Sequence, residues 1–291
     1  MDLSKKRWQW AVLAILAIIW GSSFILMKRG LRSFSSDQVA ALRMFIAFVS
    51  LTPFIIKRLT KENLPKWKYF LVCGMFGNFI PAFLFTRAET GISSSMAGML
   101  NSLTPLFTLL LGMLVFGMKA NGWSITGIII GFVGACGLLI TGHNDDTHSS
   151  LNYGLMVVAA TICYAISVNT VKKFLTGVHP VTITVWGFTL IGPLAGAYLL
   201  STDLHKSFSS PEATSSFIYT ILLAVFGTTI STILFYKLIE KSSALFASSV
   251  TYLIPIVAML WGLADGENIH LLHLLWIMLI LAGIYLVNWK K

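Results

Sequence analysis

Residues 93–112 read SSSMAGMLNSLTPLFTLLLG, and 150 positions later residues 243–262 read SALFASSVTYLIPIVAMLWG. Six identities join the two stretches, and each stretch carries a proline inside an apolar run, at Pro105 and Pro255. When the same ungapped comparison is extended back to residue 69, it gives twelve identities in 44 positions, including a shared Phe-Gly pair. The chain therefore contains an internal repeat, and the nature of the repeated unit decides the fold.

The repeat lies in an apolar chain. Of its 291 residues, 56% are hydrophobic and 11% are charged, whereas about 25% are charged in a typical soluble protein. A soluble fold of this length needs far more polar surface, and a disordered chain has far fewer apolar residues, so both classes are excluded. Ten apolar runs are long enough to cross a hydrocarbon core of about 30 Å. They lie at about 8–27, 38–56, 67–86, 93–117, 122–141, 152–171, 181–200, 216–236, 243–263 and 271–289.

The runs predict an inverted architecture. Helices satisfy the backbone hydrogen bonds within one segment, so each run is predicted to be a transmembrane helix. Because five runs precede the second copy, that copy enters the membrane from the opposite side. We therefore predict an all-α integral membrane protein with ten transmembrane helices in two inverted five-helix repeats, residues 1–142 and 150–291. Inverted repeats are typical of secondary transporters, which alternate access to a central site.

The basic residues indicate orientation and partners. With the N-terminus placed inside, fifteen of the 21 Lys and Arg residues fall on the cytoplasmic side, five fall outside and Arg43 lies within the second span. This bias predicts a protein of the cell inner membrane with both termini cytoplasmic. The charges cluster at span ends, so we expect membrane lipid and a small-molecule substrate as partners, and no nucleic acid. Small-residue spacings at 127–131 and 192–196 are interpreted as packing within a monomer.

No pattern for catalysis, a cofactor or a metal is present in the sequence. Cys73, Cys136 and Cys163 lie singly in apolar runs without metal-type spacing. No phosphate-binding loop or zinc-protease motif occurs. Proton coupling normally uses an ionisable group along the pathway, and only Glu89 and Glu240 come near, both at span ends. We therefore predict no catalytic residue, cofactor or metal, and favour facilitated export or exchange.

Polar and aromatic side chains inside the spans are the candidates for a substrate cavity. Hydroxyl and amide groups at membrane depth either join helices or face a cavity, and aromatic rings either pack in the core or stack on a planar ligand. Trp20 and Ser23 of the first span meet Tyr164 and Ser167 of the sixth at an offset of 144. The predicted cavity residues are Trp20, Ser23, Asn78, Asn101, Tyr164, Ser167, Trp186, Thr228, Thr251 and Tyr252.

Two further features are candidates for movement and fastening. Pro105 and Pro255 each remove one backbone hydrogen bond inside a span. They predict kinks that present polar backbone to the cavity and bend during access changes, and a static kink is the alternative. Arg43 is the only charge clearly inside a span, and such an ion is a functional hypothesis by default, although its long side chain can also reach the interface. Glu89 is its predicted ion-pair partner.

Several stretches resemble the EamA family of the drug/metabolite transporter superfamily. The matching segments are IWGSSF at 19–24, LRMFIA at 42–47, SSMAGML at 94–100 followed by TPLF at 104–107, YLIPI at 252–256 and Gly266-Glu267. The family often carries a Gly-Glu pair after the fourth span as well, where this chain reads Gly117-Met118-Lys119. The resemblance covers nearly the whole chain.

The resemblance implies a ten-helix carrier with a cavity walled mainly by helices 1, 3, 4, 6, 8 and 9. Family members commonly export amino acids or other small metabolites. We therefore expect a secondary transporter rather than an enzyme. The first candidate for its exported solute is an amino acid with an aromatic or bulky side chain, moved by alternating access. A nucleotide-sugar or drug carrier of the same superfamily is one alternative, although the phosphates of a nucleotide sugar call for several cations. A membrane-embedded lipid-modifying enzyme is the other alternative, and it would need a convergent catalytic constellation.

Overall fold

The computed structural model describes residue 3 and residues 5–118, 121–141, 147–267 and 270–288. Among these residues the chain forms helices and no strands, and nine helices are long and apolar enough to cross a membrane. A shorter apolar helix, Leu271–Leu286, gives the tenth span. The predicted all-helical membrane fold is confirmed. The predicted boundary between the repeats falls partly on residues 142–146, which lie outside the described residues.

The spans coincide one for one with the predicted apolar runs. They are α1 Lys6–Gly30, α2 Ser36–Arg58, α3 Lys61–Ala88, α4 Ser94–Leu114, α5 Gly122–Thr141, α6 Thr147–Phe174, α7 Pro180–Leu200, α8 Ala213–Lys241, α9 at 244–264 and α10 Leu271–Asn288. The short helix Leu204–Phe208 lies between α7 and α8. Because the number of crossings is even, α1 begins and α10 ends on the same side of the bundle. We call the face where α1 begins and α10 ends the terminal face, and the opposite one the distal face.

Two helix pairs lie at the periphery. In the α5–α10 pair, a Cβ added to Gly283 would lie 2.5 Å from the carbonyl oxygen of Gly127, so small residues let these backbones touch. In the α2–α7 pair, the ring of Phe45 would lie 2.8 Å from a Cβ on Gly196. The small-residue spacings therefore pack within one chain. The remaining six helices form the centre of the bundle.

Both prolines interrupt their helices, as the sequence predicts. α4 ends its first segment at Asn101 and restarts at Thr104, one residue before Pro105. α9 passes through the 3-10 turn Ser249–Tyr252 and resumes at Ile254, one residue before Pro255. Proline has no N–H donor, and the hydroxyl of Thr104 replaces the lost bond by donating to the carbonyl of Asn101 at 2.9 Å. The two breaks therefore lie at equivalent positions of the two repeats.

α3 and α8 contain a second pair of interruptions. Each has a π-helical turn, at Met75–Phe79 in α3 and Val225–Ile230 in α8. The side chain of Asn78 donates to the carbonyl of Cys73 at 3.3 Å, and the hydroxyl of Thr228 donates to the carbonyl of Leu223 at 3.2 Å. Each bond reaches five residues back, and the two are 150 positions apart. π-Turns occur frequently at functional sites.

The π-turns are packed tightly against α1 and α6. A Cβ added to Gly227 would lie 2.7 Å from the hydroxyl oxygen of Ser23, and one added to Gly77 would lie 2.5 Å from that of Ser167. Because Ser23 and Ser167 are repeat mates, the α1–α8 and α6–α3 contacts are one contact made twice. This arrangement brings the polar turns of both repeats to the middle of the bundle.

Candidate functional site

A cavity lies in the middle of the bundle, where the π-turns meet the breaks in α4 and α9. Both repeats contribute to its wall, and seven of the ten predicted cavity residues line it. These seven are Trp20, Ser23, Asn78, Asn101, Tyr164, Ser167 and Thr251. The structure therefore brings together most of the polar and aromatic groups that the sequence singles out.

Three predicted residues lie elsewhere. The indole N–H of Trp186 donates to the carbonyl of Arg58 at 3.2 Å, and its ring stacks on Phe70, so Trp186 fastens helix ends at the terminal face. Tyr252 is partly buried in the apolar core beside the cavity. Thr228 is buried outside the cavity lining, and its hydroxyl accepts a hydrogen bond from Nε of Arg43.

Besides Phe24, two phenylalanines that the sequence did not single out for the cavity line it, Phe85 and Phe235. Both belong to the identical pairs of the internal repeat, so the repeat held the signal. Phe235 meets Trp20 edge to face with ring centroids 5.1 Å apart, and Phe85 stacks on Tyr164 at 6.0 Å. Trp20 and Tyr164 are repeat mates as well. The cavity therefore has two aromatic walls, one from α1 and α8 and the other from α6 and α3.

The aromatic walls carry polar groups. The indole N–H of Trp20 lies 3.0 Å from both the carbonyl of Gly227 and the hydroxyl of Ser231. The hydroxyl of Thr232 donates to the side-chain oxygen of Asn78 at 3.3 Å. Apolar walls with a few placed polar groups are typical of small-molecule sites.

Arg43 enters the cavity from α2. Its Nε donates to the hydroxyl of Thr228 at 2.6 Å, and its terminal nitrogens lie 3.5 Å from the carbonyl of Gly227 and 3.9 Å from the sulfur of Met27. The side chain is buried, and the residue is 8% exposed. It is the one charged side chain among the described lining residues.

The predicted Arg43–Glu89 ion pair is not formed in the structure. Neither residue takes part in a salt bridge among the described residues. The side chain of Arg43 runs towards α8, and both carboxyl oxygens of Glu89 are buried without a hydrogen-bond partner in the described part of the chain. Burial, together with the nearby charge of Glu267, raises the pKa of Glu89 well above its usual range. That shift favours the neutral acid, which is a poor counter-ion.

The chain matches the model of the EamA-like transporter family twice, over residues 8–140 and 152–289. The chain belongs to the EamA family. It is therefore a multi-pass membrane transporter, and the two matches coincide with the two halves of the internal repeat.

Relatives of this EamA protein match over nearly its whole length. A transporter of Archaeoglobus fulgidus is 29% identical, covering 97% of this chain and 99% of its own. A probable amino-acid metabolite efflux pump of Escherichia coli is 25% identical, covering 96% of both chains. The inner membrane transporter YedA of Escherichia coli is 26% identical, covering 95% of this chain and 89% of its own. A crystal structure with a TM-score of 0.68 and 14% identity covers 98% of this chain and 97% of that one, which shows the shared fold.

A cluster of charges joins helix ends at the distal face of this EamA transporter. We call it the distal clamp, and its residues are Lys28, Arg29, Ser94, Ser95, Asp265 and Glu267. The carboxylate of Glu267 accepts from the backbone N–H of Ser94 and of Ser95 at 3.1 Å each, and from the Ser95 hydroxyl at 2.6 Å. Lys28 lies 3.0 Å from Glu267 and 2.7 Å from Asp265, which also pairs with Arg29. The clamp thus ties α1, the first turn of α4 and the end of α9.

Glu267 is well placed for a negative charge. It lies at the N-terminus of α4, where free N–H groups and the helix dipole favour an anion. Burial would raise the pKa of its carboxyl, but the hydrogen bonds from Ser95 and Lys28 and the charge of Lys28 outweigh it, and the net pKa is lowered. The ionised form therefore holds the clamp.

The repeat mate of the clamp at the terminal face has no carboxylate. Gly117 and Gly266 both have positive φ, 74° and 82°, a conformation that glycine adopts without strain. The N–H of the next residue, Met118 or Glu267, returns to Gly112 or Gly262 at 2.8 Å. Met118 thus takes the place of Glu267, and Lys119 lies outside the described residues.

Lys172, the repeat mate of Lys28, has no acidic partner in the described part of the chain. It donates to the carbonyls of Ser242 at 2.7 Å and Ile239 at 3.2 Å. Carbonyls at a helix C-terminus accept such a cation favourably. The two faces are therefore fastened differently: the distal face by ion pairs, and the terminal face by hydrogen bonds from Lys172, Lys173 and Trp186 to backbone carbonyls.

Proposed function

We propose that this EamA transporter exports a small metabolite, first of all an amino acid with an aromatic or bulky side chain, by alternating access through the central cavity. The observation that carries the proposal is the pair of aromatic walls, Trp20 with Phe235 and Tyr164 with Phe85, around one set of polar groups. Each repeat supplies one ring of each wall. Inverted repeats can exchange their shapes around such a shared site.

The relatives support the class of solute. Proteins of Escherichia coli and Salmonella typhimurium that are 25% and 26% identical are named probable amino-acid metabolite efflux pumps. The single cation among the described lining residues, Arg43, also suits a zwitterion better than a nucleotide sugar, whose phosphates call for several cations.

The proposal includes orientation, location and assembly. We place the terminal face in the cytoplasm, because fifteen of the 21 Lys and Arg residues then lie inside. The distal clamp then lies at the outer face. We place the protein in the inner membrane, in agreement with the name of the relative YedA, and propose that it works as a monomer without a cofactor or a catalytic step. The membrane-depth groups favour facilitated export or exchange over tight proton coupling.

Counterflow in proteoliposomes tests the function. Vesicles with the purified protein are loaded with one unlabelled amino acid at a time, and uptake of the same labelled amino acid is followed with and without a proton gradient. We expect uptake that needs the preloaded solute and no gradient, largest for aromatic or bulky amino acids. Tyr164→Ala should reduce it, and Tyr285→Ala on α10 is the matched control because Tyr285 is exposed on a peripheral helix. Folded protein that moves none of the amino acids would overturn the proposal.

A further inference from the structure

Arg43 occupies an unusual place for a cation. α2 belongs to a peripheral helix pair, yet Arg43 and its neighbour Met44 reach the cavity and line it. Arg43 is buried, with 8% of its surface exposed. A buried charge is costly unless it is paired and hydrogen-bonded. The role of the Arg43 charge therefore has to be inferred from the groups that contact its guanidinium.

The partners of Arg43 do not balance its charge. A guanidinium has five N–H donors. Nε is well bonded to Thr228, but the acceptors of the terminal nitrogens are a carbonyl at 3.5 Å and a thioether at 3.9 Å. A thioether is a weak acceptor. The two terminal nitrogens thus keep most of their donor capacity for a ligand in the cavity.

A fixed counter-ion is also missing from the described residues around Arg43. Its charged and titratable neighbours are Tyr164 and Glu89. Tyr164 is an uncharged phenol at ordinary pH, and the carboxyl group of Glu89 forms neither a salt bridge nor a hydrogen bond with any described residue.

The internal repeat shows that the charge is not needed for packing. At the offset that aligns Pro53 with Pro193, Arg43 meets Ile183, which is buried. In the other half of the cavity, the π-turn residue Asn78 is met by the neutral hydroxyl of Thr232. A side-chain contact to a π-turn can therefore be made by a neutral group, without a cation. Arg43 makes an otherwise symmetric cavity positive on one side.

We propose that Arg43 anchors a carboxylate of the transported solute, so that the cavity selects carboxylate-bearing molecules over the corresponding amines and amides. Thr228 fixes Nε and leaves the two terminal nitrogens as donors for the carboxylate, a contact that is strong and directional. The rings of the aromatic walls then contact the rest of the solute. This inference rests on the cavity of the proposed function and names the chemical group that it recognises.

Matched acid–amide pairs test the anchor without any mutation. The probes are L-phenylalanine with L-phenylalaninamide, and phenylacetate with phenylacetamide, which has no amino group. Binding to detergent-purified protein is measured by isothermal titration calorimetry and by the shift in thermal unfolding. We expect each acid to bind wild-type protein at least about tenfold more tightly than its amide, because a lost charged partner leaves the guanidinium unpaired. Amides that bind as tightly as the acids, or acids that do not bind, would overturn the anchor.

Variants then assign the preference to Arg43. We expect Arg43→Gln to reduce the acid-to-amide ratio of affinities to about one, and Arg43→Lys to retain part of it, because lysine keeps the charge but lacks the planar fork. Arg87→Gln is the matched control, since Arg87 is exposed at the end of α3. An unchanged ratio in Arg43→Gln contradicts the proposal. If Arg43→Gln does not fold, the ratio in Arg43→Lys decides: a full wild-type ratio counts against a role of the fork, and a reduced one supports it.

The anchor and the proposed function can be refuted independently of each other. Phenylacetate that binds through Arg43 while no amino acid shows counterflow would refute amino-acid export and leave the anchor standing. Amino-acid counterflow that phenylalaninamide inhibits as well as phenylalanine does would leave the function standing and refute the anchor.

Discussion

At the scale of single residues, the two π-turns leave no room for one more methyl group. The hydroxyl oxygen of Ser23 is 2.7 Å from the position of a Cβ on Gly227, well inside van der Waals contact. The neighbouring Cδ1 of Leu223, at 3.1 Å, is the end of a flexible side chain and can move. The serine oxygen is therefore the main obstacle.

We expect Gly227→Ala to destabilise the protein by about 1–3 kcal/mol, the usual cost of overpacking a core. Adding Ser23→Ala should recover part of the loss, because it removes the obstructing oxygen and the two changes are coupled. Thermal unfolding in detergent measures both variants. Gly122→Ala is the control, since no atom lies within 4 Å of its added Cβ. An unchanged melting temperature in Gly227→Ala, or no recovery in the double variant, would contradict this packing.

The lowered pKa of Glu267 predicts a pH dependence. The pKa of Glu267 in the folded protein lies below its pKa in the unfolded chain, which is about 4.3. The carboxylate therefore stabilises the fold fully above the unfolded value, and this contribution disappears as the pH falls through the folded one. Glu267→Gln should lower the melting temperature at pH 7, and the difference from wild type should shrink between pH 5 and pH 3. Glu62→Gln, at an exposed position, is the control. A difference in melting temperature that stays constant with pH would contradict this prediction.

At the scale of elements, the sequence predicts the spans and the breaks in α4 and α9, because apolar length and proline leave direct marks. It does not predict the π-turns. An extra residue per turn changes no composition, so the π-turns at Met75–Phe79 and Val225–Ile230 become visible only in the structure.

Side-chain direction is the other thing that the sequence leaves open. Arg43 lies in the distal half of α2 and Glu89 directly follows α3 at the distal face, so pairing them is reasonable from sequence, but the structure brings Arg43 to Thr228 of α8 instead. Trp186 is aromatic and inside a span, yet its N–H finds a carbonyl at a helix end. Tertiary packing decides both cases. The cavity positions that repeat in both halves, such as Trp20 and Tyr164, were predictable because symmetry places both copies around one centre.

Whether the breaks bend during transport stays a prediction, and Pro255→Ala tests it. Alanine restores an N–H donor and favours continuous helix, so we expect equal or higher thermal stability. If α9 bends at the break, counterflow should slow while the half-saturating solute concentration changes little. Pro211→Ala, between the short helix Leu204–Phe208 and α8, is the control. An unaltered transport rate together with a stabilised fold would identify the kink as static.

At the scale of the whole molecule, if the two halves of the inverted repeat were identical, opening the cavity to either face would cost the same free energy. The contacts that hold the helix ends differ between the two faces, so the two openings are not equivalent. Glu267 ties three helix ends at the distal face, and Met118 stands at the equivalent place of the terminal face. Charge-assisted hydrogen bonds contribute about 1.5–3 kcal/mol each, and every 1.4 kcal/mol changes a ratio of two states about tenfold. One carboxylate can therefore decide which face is closed most of the time.

Two substitutions should move this balance in different ways. Glu267→Gln weakens the distal clamp, so the cavity should open more often to the distal face. Met118→Glu supplies a carboxylate at the terminal face, at the position that corresponds to Glu267, so the cavity should open less often there. The reporter is Val168→Cys in the cavity lining, in a chain whose three native cysteines are replaced by alanine. The rate at which a membrane-impermeant thiol reagent modifies it is measured from each side of oriented vesicles. We expect Glu267→Gln to raise the distal rate and Met118→Glu to lower the terminal rate, each several-fold, while Glu62→Gln changes neither. Equal rates in all variants would mean that the clamp holds helix ends together without setting the direction in which the cavity opens.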